Sequence, residues 1–182
     1  MEIKLIQGLQ EKIGLRLLEN KARRIQRRVK AMNLNKASSV GIVFDVNSDH
    51  DLKHVKELVK NLSPTVTKVG VIGYLKGKKK DYPYISDKNY TFISNEDFNF
   101  FLQPNSENIT RFLDFEPDIL LILNQSYHFE VHYIARLSKA GLKVGRAGLF
   151  DDCLDFILEM HENSLEALTR EVNRYLGNLQ TN

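Results

Sequence analysis

From residue 38 onward, short apolar runs alternate with stretches in which apolar residues recur every three or four positions. Residues 40–46, VGIVFDV, are almost continuously apolar, the pattern of a strand buried on both faces. After Asn47-Ser48-Asp49, the spacing of Leu52, Val55, Leu58 and Val59 predicts an amphipathic helix to Leu62, stopped by Ser63-Pro64. Ser48 followed three residues later by Asp51 has capping-box spacing, with aspartate in place of glutamate. Further strands are predicted over residues 68–74, 90–93, 118–124, 142–145 and 154–158, and further helices over 106–115, 128–140 and 164–176. The last of these carries Asn163 and Glu166 at capping-box spacing. Strands that alternate with helices pair in parallel through right-handed crossovers. The expected fold class is therefore α/β: a doubly wound, mostly parallel Rossmann-like sheet of about six strands in the order 3-2-1-4-5-6.

The N-terminal residues have a different texture. Residues 3–32 contain no proline and many good helix formers, which predicts one long helix. Leu18, Ala22, Ile25, Val29 and Met32 follow one another at intervals of 4, 3, 4 and 3, a narrow stripe suited to packing on another helix or on the body of the protein. The division this suggests is a basic N-terminal helix over residues 1–36 and a Rossmann-like domain over 37–182.

Charge sharpens that division. Residues 1–36 hold ten lysines and arginines against three glutamates, a net of +7; of the chain's 26 basic and 23 acidic residues, sixteen and twenty remain, so the body is at −4. A basic arm on a mildly acidic body points to a polyanionic partner. Arg23, Arg24, Arg27, Arg28 and Lys30 are the expected phosphate contacts, giving salt-dependent, sequence-independent binding to RNA or a ribonucleoprotein. Two other readings stay open. The helix can lie on an anionic membrane surface with Ile6, Leu9, Ile13, Leu17 and Leu18 inserted, although residues 1–36 contain no Trp or Phe. It can also dock on the body or on a second copy, making a homo-oligomer. No apolar run is long enough to span a bilayer and residues 1–8 lack a signal-peptide pattern, so the expectation is cytoplasmic.

Candidate chemistry is sparse. In a doubly wound sheet, ligands bind at the carboxyl ends of the strands where the order reverses. Asp45, Asn47, Ser48, Asn124, Gln125, Ser126 and Tyr127 fall there, as a small-ligand crevice or as helix caps and loop residues that this position demands in any case. Asp45-Val46-Asn47-Ser48 lacks the glycines of a dinucleotide loop, and residues 73–78 (GYLKGK) miss both the spacing and the Ser/Thr of a phosphate-binding loop. The pairs His50/His54 and His128/His132 have the i, i+4 spacing that presents two imidazoles to one metal, but neither has the glutamate of a zinc-protease helix directly after the first histidine. No metal or other cofactor is expected. The single cysteine, Cys153, follows Asp151-Asp152, carboxylates that oppose thiolate formation and argue against a nucleophile.

Two resemblances add to this. Residues 116–124 (EPDILLILN) and 133–146 (YIARLSKAGLKVGR) resemble part of the N-terminal half of heptosyltransferase-type (GT-B) glycosyltransferases. Those enzymes need a second Rossmann-like half for the nucleotide sugar, so this resemblance implies a degenerate transferase-like domain. The basic N-terminus, SVGIVFD at 39–45, DFNFF at 97–101 and YIARLSKAGLKVG together resemble a family of small uncharacterised proteins from Bacteroidota, which implies the same fold and a bacterial cytoplasm. The expected function is non-enzymatic: an adaptor contacting RNA or a ribonucleoprotein through the basic helix. The alternatives are a small-molecule-binding or degenerate glycosyltransferase-like domain and a protein–protein dimerisation module.

Overall fold

β1 (Ser39–Asp45) is buried at every position and lies at the centre of the molecule. It pairs in parallel with β2 (Lys68–Tyr74) on one side, Val43 opposite Ile72, and with β4 (Ile119–Ile122) on the other, Val43 opposite Ile122. β3 (Tyr90–Ile93) extends the sheet beyond β2, while β5 (Leu142–Arg146) and β6 (Phe156–Leu158) extend it beyond β4. The result is one six-stranded, wholly parallel sheet in the order β3-β2-β1-β4-β5-β6, as the alternating pattern predicts. This computed structural model describes residues 2–62 and 64–180.

Alternate residues of the strands feed two cores. Val40, Ile42 and Phe44 meet Leu52, Val55 and Leu58 of α2 (Asp49–Lys60) and Leu165, Leu168 and Val172 of α5 (Leu165–Gly177). Val43, Ile72, Leu120 and Ile122 meet Ile109 and Phe112 of α3 (Glu107–Asp114), Val131 and Ile134 of α4 (Phe129–Leu137), and Leu18 of α1 (Glu2–Ala22). The Ser48–Asp51 capping box forms as predicted. At α5 the cap is Ser164, whose hydroxyl accepts from the Ala167 N–H, while Asn163 turns to Arg146. No helix among the described residues is long and apolar enough to cross a membrane.

The largest departure from expectation is at the N-terminus. The helix stops at Ala22, ten residues before the predicted end, and residues 25–33 are irregular and extended. Arg23/Arg27 and Arg24/Arg28 would each place like charges one helical turn apart, which destabilises a helix. The extended path has replacements for the lost helical bonds: the Lys30 N–H donates to Gly141 O at 2.9 Å, and Arg27 Nη1 donates to Ala140 O at 2.8 Å. The 4-3-4-3 stripe is consequently divided. Leu18, Ala22 and Ile25 pack with the α4 core, Met32 packs with the α5 core, and Val29 is in solvent. The chain thus passes from one face of the sheet to the other. Asn33 secures its arrival, with Nδ2 donating to Gly177 O (3.1 Å) and Leu179 O (2.8 Å). The basic charge is therefore not a property of the helix: α1 carries four lysines and arginines against three glutamates, and the excess follows it.

α1 is seated where Gly14 meets Leu102, the one non-glycine residue with positive φ (54°) among the described residues. A Cβ at position 14 would lie 2.8 Å from Leu102 Cδ1, so only glycine permits this approach. One turn on, Leu18 is 1% exposed. Leu18→Ala is expected to destabilise the protein by about 2–5 kcal/mol in denaturant unfolding; a change under about 0.5 kcal/mol, typical of surface positions, would mean that α1 is not part of the folded unit.

Candidate functional site

At the carboxyl ends of the central strands, Asp45 and Asn124 come together as expected. Asp45 is 4% exposed. Its Oδ2 accepts the backbone N–H groups of Gln125 (2.8 Å) and Ser126 (3.2 Å), and its Oδ1 accepts from Asn124 Nδ2. His128 Nε2 lies 3.5 Å from the same Oδ1, with its ring stacked 4.2 Å from that of Tyr74. Burial and Glu130 raise the Tyr74 hydroxyl pKa, so it holds its proton. Asn47 and Ser48 stand at the start of α2, their N–H groups both on Asp51 Oδ2 at 2.9 Å. Most polar groups of this crevice thus serve the fold. One does not: Asn124 Oδ1 is buried without a hydrogen-bond partner.

Tyr127 turns out of the crevice, its hydroxyl 3.1 Å from His132 Nδ1 and its ring stacked on Phe150. The two histidine pairs do not converge. α2 and α4 lie on opposite faces of the sheet, so His50 meets Glu166 at 3.2 Å and His54 meets Thr169 at 2.8 Å, while His128 and His132 are engaged with Asp45 and Asp152. A four-histidine centre is excluded by that separation. The donors that do assemble are His132, Asp152 and Cys153, with one ligand atom from each within 4.8 Å of the others. They fit a metal poorly. The Cys153 thiol donates to Phe150 O at 3.2 Å and is pushed up to about 12 by burial and then by Asp152. Arg136 holds Asp152, with Nη1 2.6 Å from its carbonyl oxygen.

Beside this cluster, the end of α1, the end of α4, β5 and residues 152–155 line a cavity of about 250 Å³ that opens to solvent. Its walls hold four cations, Arg23, Arg27, Arg136 and Lys143, and two carboxylates, Asp152 and Asp155. Lys143 is 2% exposed, and its ammonium has one bond, to Arg136 O at 3.3 Å. Its pKa is pushed down to about 8, first by burial and then by the Arg27 charge. Arg136 Nε is buried and unpaired. A larger groove of about 530 Å³ along β2 has only exposed cations at its rim, Lys68, Lys88 and Arg111, and no buried titratable group.

Of the five basic residues predicted to contact phosphates, Arg27 is engaged with Asp155 and Ala140 O, and Arg23 lines the cavity. Arg24, Arg28 and Lys30 are exposed, with no ion-pair partner for their side chains among the described residues. Arg136 and Lys143 escaped sequence reasoning. The available signal was Lys143 itself, a charge in a strand that a doubly wound sheet covers on both faces.

A family model described as "Family of unknown function (DUF6913)" matches residues 10–179. The chain belongs to that family. The match takes in most of α1, the basic segment, the cavity and the strand-end crevice of this DUF6913 member. No curated protein and no solved structure matches the chain.

Lys143 provides a direct test of the cavity's electrostatics. Below pH 8 it is charged in both folded and unfolded states, and its burial penalty is fully present. Between pH 8 and its ordinary value of 10.5 the folded protein releases a proton that the unfolded chain keeps, so stability rises. Relative to Lys143→Met, wild type is expected to gain roughly 3 kcal/mol across that window, measured by denaturant unfolding at several pH values; a constant difference would contradict the burial of a charged ammonium.

Proposed function

We propose that this protein is a non-enzymatic binding protein that contacts a polyanionic partner, RNA or a ribonucleoprotein, through the basic segment following α1. The resemblance to Bacteroidota proteins supports a bacterial cytoplasm as the setting. The observation that carries the reading is the set of exposed, unpaired Arg24, Arg28 and Lys30 on an extended ribbon pinned at both faces of the sheet. Arginine forks match phosphate oxygens in pairs, and a ribbon already held in place loses little freedom when it binds. The strand-end carboxylate has its oxygens on protein donors, which leaves little there for acid–base work.

A second reading, a small-molecule or degenerate transferase-like site at the strand ends, is favoured by the unpaired Asn124 oxygen. A buried carbonyl without a donor is uncommon, and a ligand N–H or O–H would satisfy it.

The variant Arg24→Ala/Arg28→Ala/Lys30→Ala leaves Arg23 and Arg27, and with them the cavity, in place. Its affinity for an unstructured single-stranded RNA is expected to fall at least tenfold at low salt. The slope of log affinity against log salt should flatten by about 0.7 for each phosphate no longer neutralised, near 2 for three phosphates. Fluorescence anisotropy over a salt series reads both quantities. Equal binding by wild type and variant would refute the ribbon as the contact.

A further inference from the structure

We infer that the open cavity lined by Arg23, Arg27, Arg136 and Lys143 is a binding site for a phosphate-class oxyanion, a site separate from the exposed ribbon. The first argument is charge. The two carboxylates in the walls are already engaged: Asp152 with His132 at 3.0 Å and with Arg136, Asp155 with Arg27 and the Lys143 N–H. Glu19 pairs with Arg136 from beside the walls at 3.3 Å, so four cations meet three carboxylates and one positive charge is left over around the cleft. Burying a charge without a counter-charge is costly, and a bound oxyanion supplies the missing counter-charge.

The second argument is the supply of donors. An ammonium has three protons, and that of Lys143 uses one on a 3.3 Å bond to Arg136 O. Arg136 Nε–H is buried with no acceptor, and the Arg23 guanidinium makes no ion pair among the described residues. Donors arriving from three separate elements (the end of α1, α4 and β5) suit a tetrahedral oxyanion better than the two coplanar oxygens of a carboxylate. The same surplus opposes the alternative use of this corner as a metal site on His132, Asp152 and Cys153, because a cation would add to it. The cavity's 250 Å³ leaves room for an ester substituent on the phosphate, with Arg23 and Arg27 at the ribbon side.

Two sources share this chemistry: a small phosphorylated molecule, or the terminal phosphate of a nucleic acid lying on the ribbon. The test uses the full chain and inorganic phosphate at constant ionic strength. Wild type is expected to bind one equivalent by titration calorimetry. Its Tm should rise by about 5–10 °C at phosphate 100-fold above Kd, beyond any rise that Lys143→Met shows from the salt itself. Lys143→Met should also melt higher than wild type when phosphate is absent, since its buried charge is gone. Arg23→Ala, at an exposed position where folding is not at stake, should weaken phosphate binding about tenfold. No saturable binding at millimolar phosphate, or equal responses from wild type and both variants, would overturn the site. RNA carrying a 5′-phosphate that binds tenfold tighter than its 5′-hydroxyl form, with the advantage lost in Lys143→Met, identifies the chain end as the source. Phosphate binding with no such advantage identifies a small molecule. Binding of inorganic phosphate does not depend on Arg24, Arg28 or Lys30, so the ribbon and the cavity can fail separately.

Discussion

β1 is buried along its whole length, and one aspartate at each of its ends ties it to the chain around β4. At the amino end, Asp118 Oδ2 accepts four bonds, from the N–H and hydroxyl groups of Ser38 and Ser39, at 2.7 to 3.1 Å. Burial works to raise its pKa, but these bonds outweigh burial and hold it below the ordinary carboxylate value. At the carboxyl end, Asp45 gathers the loop after β4 in the same way. Each aspartate joins β1 to the chain entering or leaving β4, so the order reversal at the centre of the sheet is fixed by polar clamps as well as by the β1–β4 ladder.

The clamps shape where binding chemistry can lie. The strand ends are the usual ligand position in such sheets, yet here Asp45, Asn47 and Ser48 are engaged in closing loops and capping α2. Uncompensated charge is found instead beside β5, where the chain after α1 crosses the ends of α4 and β5. That crossing brings Arg27 to Asp155 and leaves Lys143 buried beneath two guanidinium-bearing residues. A buried ammonium with one long hydrogen bond is expensive to keep and has no part in holding the sheet together.

The sheet was legible because its strands are apolar on both faces and its helices on one, and the two periods do not imitate each other. The 25–33 segment was not, because its 4-3-4-3 spacing fits a helix stripe as well as a crossing in which each apolar residue finds a separate site. Like charges one turn apart were the available warning. Each histidine pair has same-face spacing, but α2 and α4 lie on opposite sides of the sheet, and His128 stands before α4 in extended backbone and not within the helix. Asn163 lost the α5 cap to its neighbour Ser164, since both satisfy the composition rule and only backbone geometry decides. The cavity combines α1, α4, β5 and the turn before β6, and no spacing in the sequence records that meeting.

Along a helix, five cations in eight residues would be spread around the circumference. The ribbon arranges them otherwise: Ile25 and Arg27 turn toward the body, while Arg24, Gln26 and Arg28 stay exposed, the two-residue alternation of extended chain. Arg27 is therefore the pin of the segment, bonded to Asp155 and to Ala140 O, with Arg24 before it and Arg28 after it open to solvent. The same guanidinium lowers the Lys143 pKa from within the cavity wall. One residue thus fixes the ribbon in place and contributes to the positive charge beneath it. The exposed and buried cations form one continuous field, its outer part on the ribbon in solvent and its inner part lining the cleft beneath it.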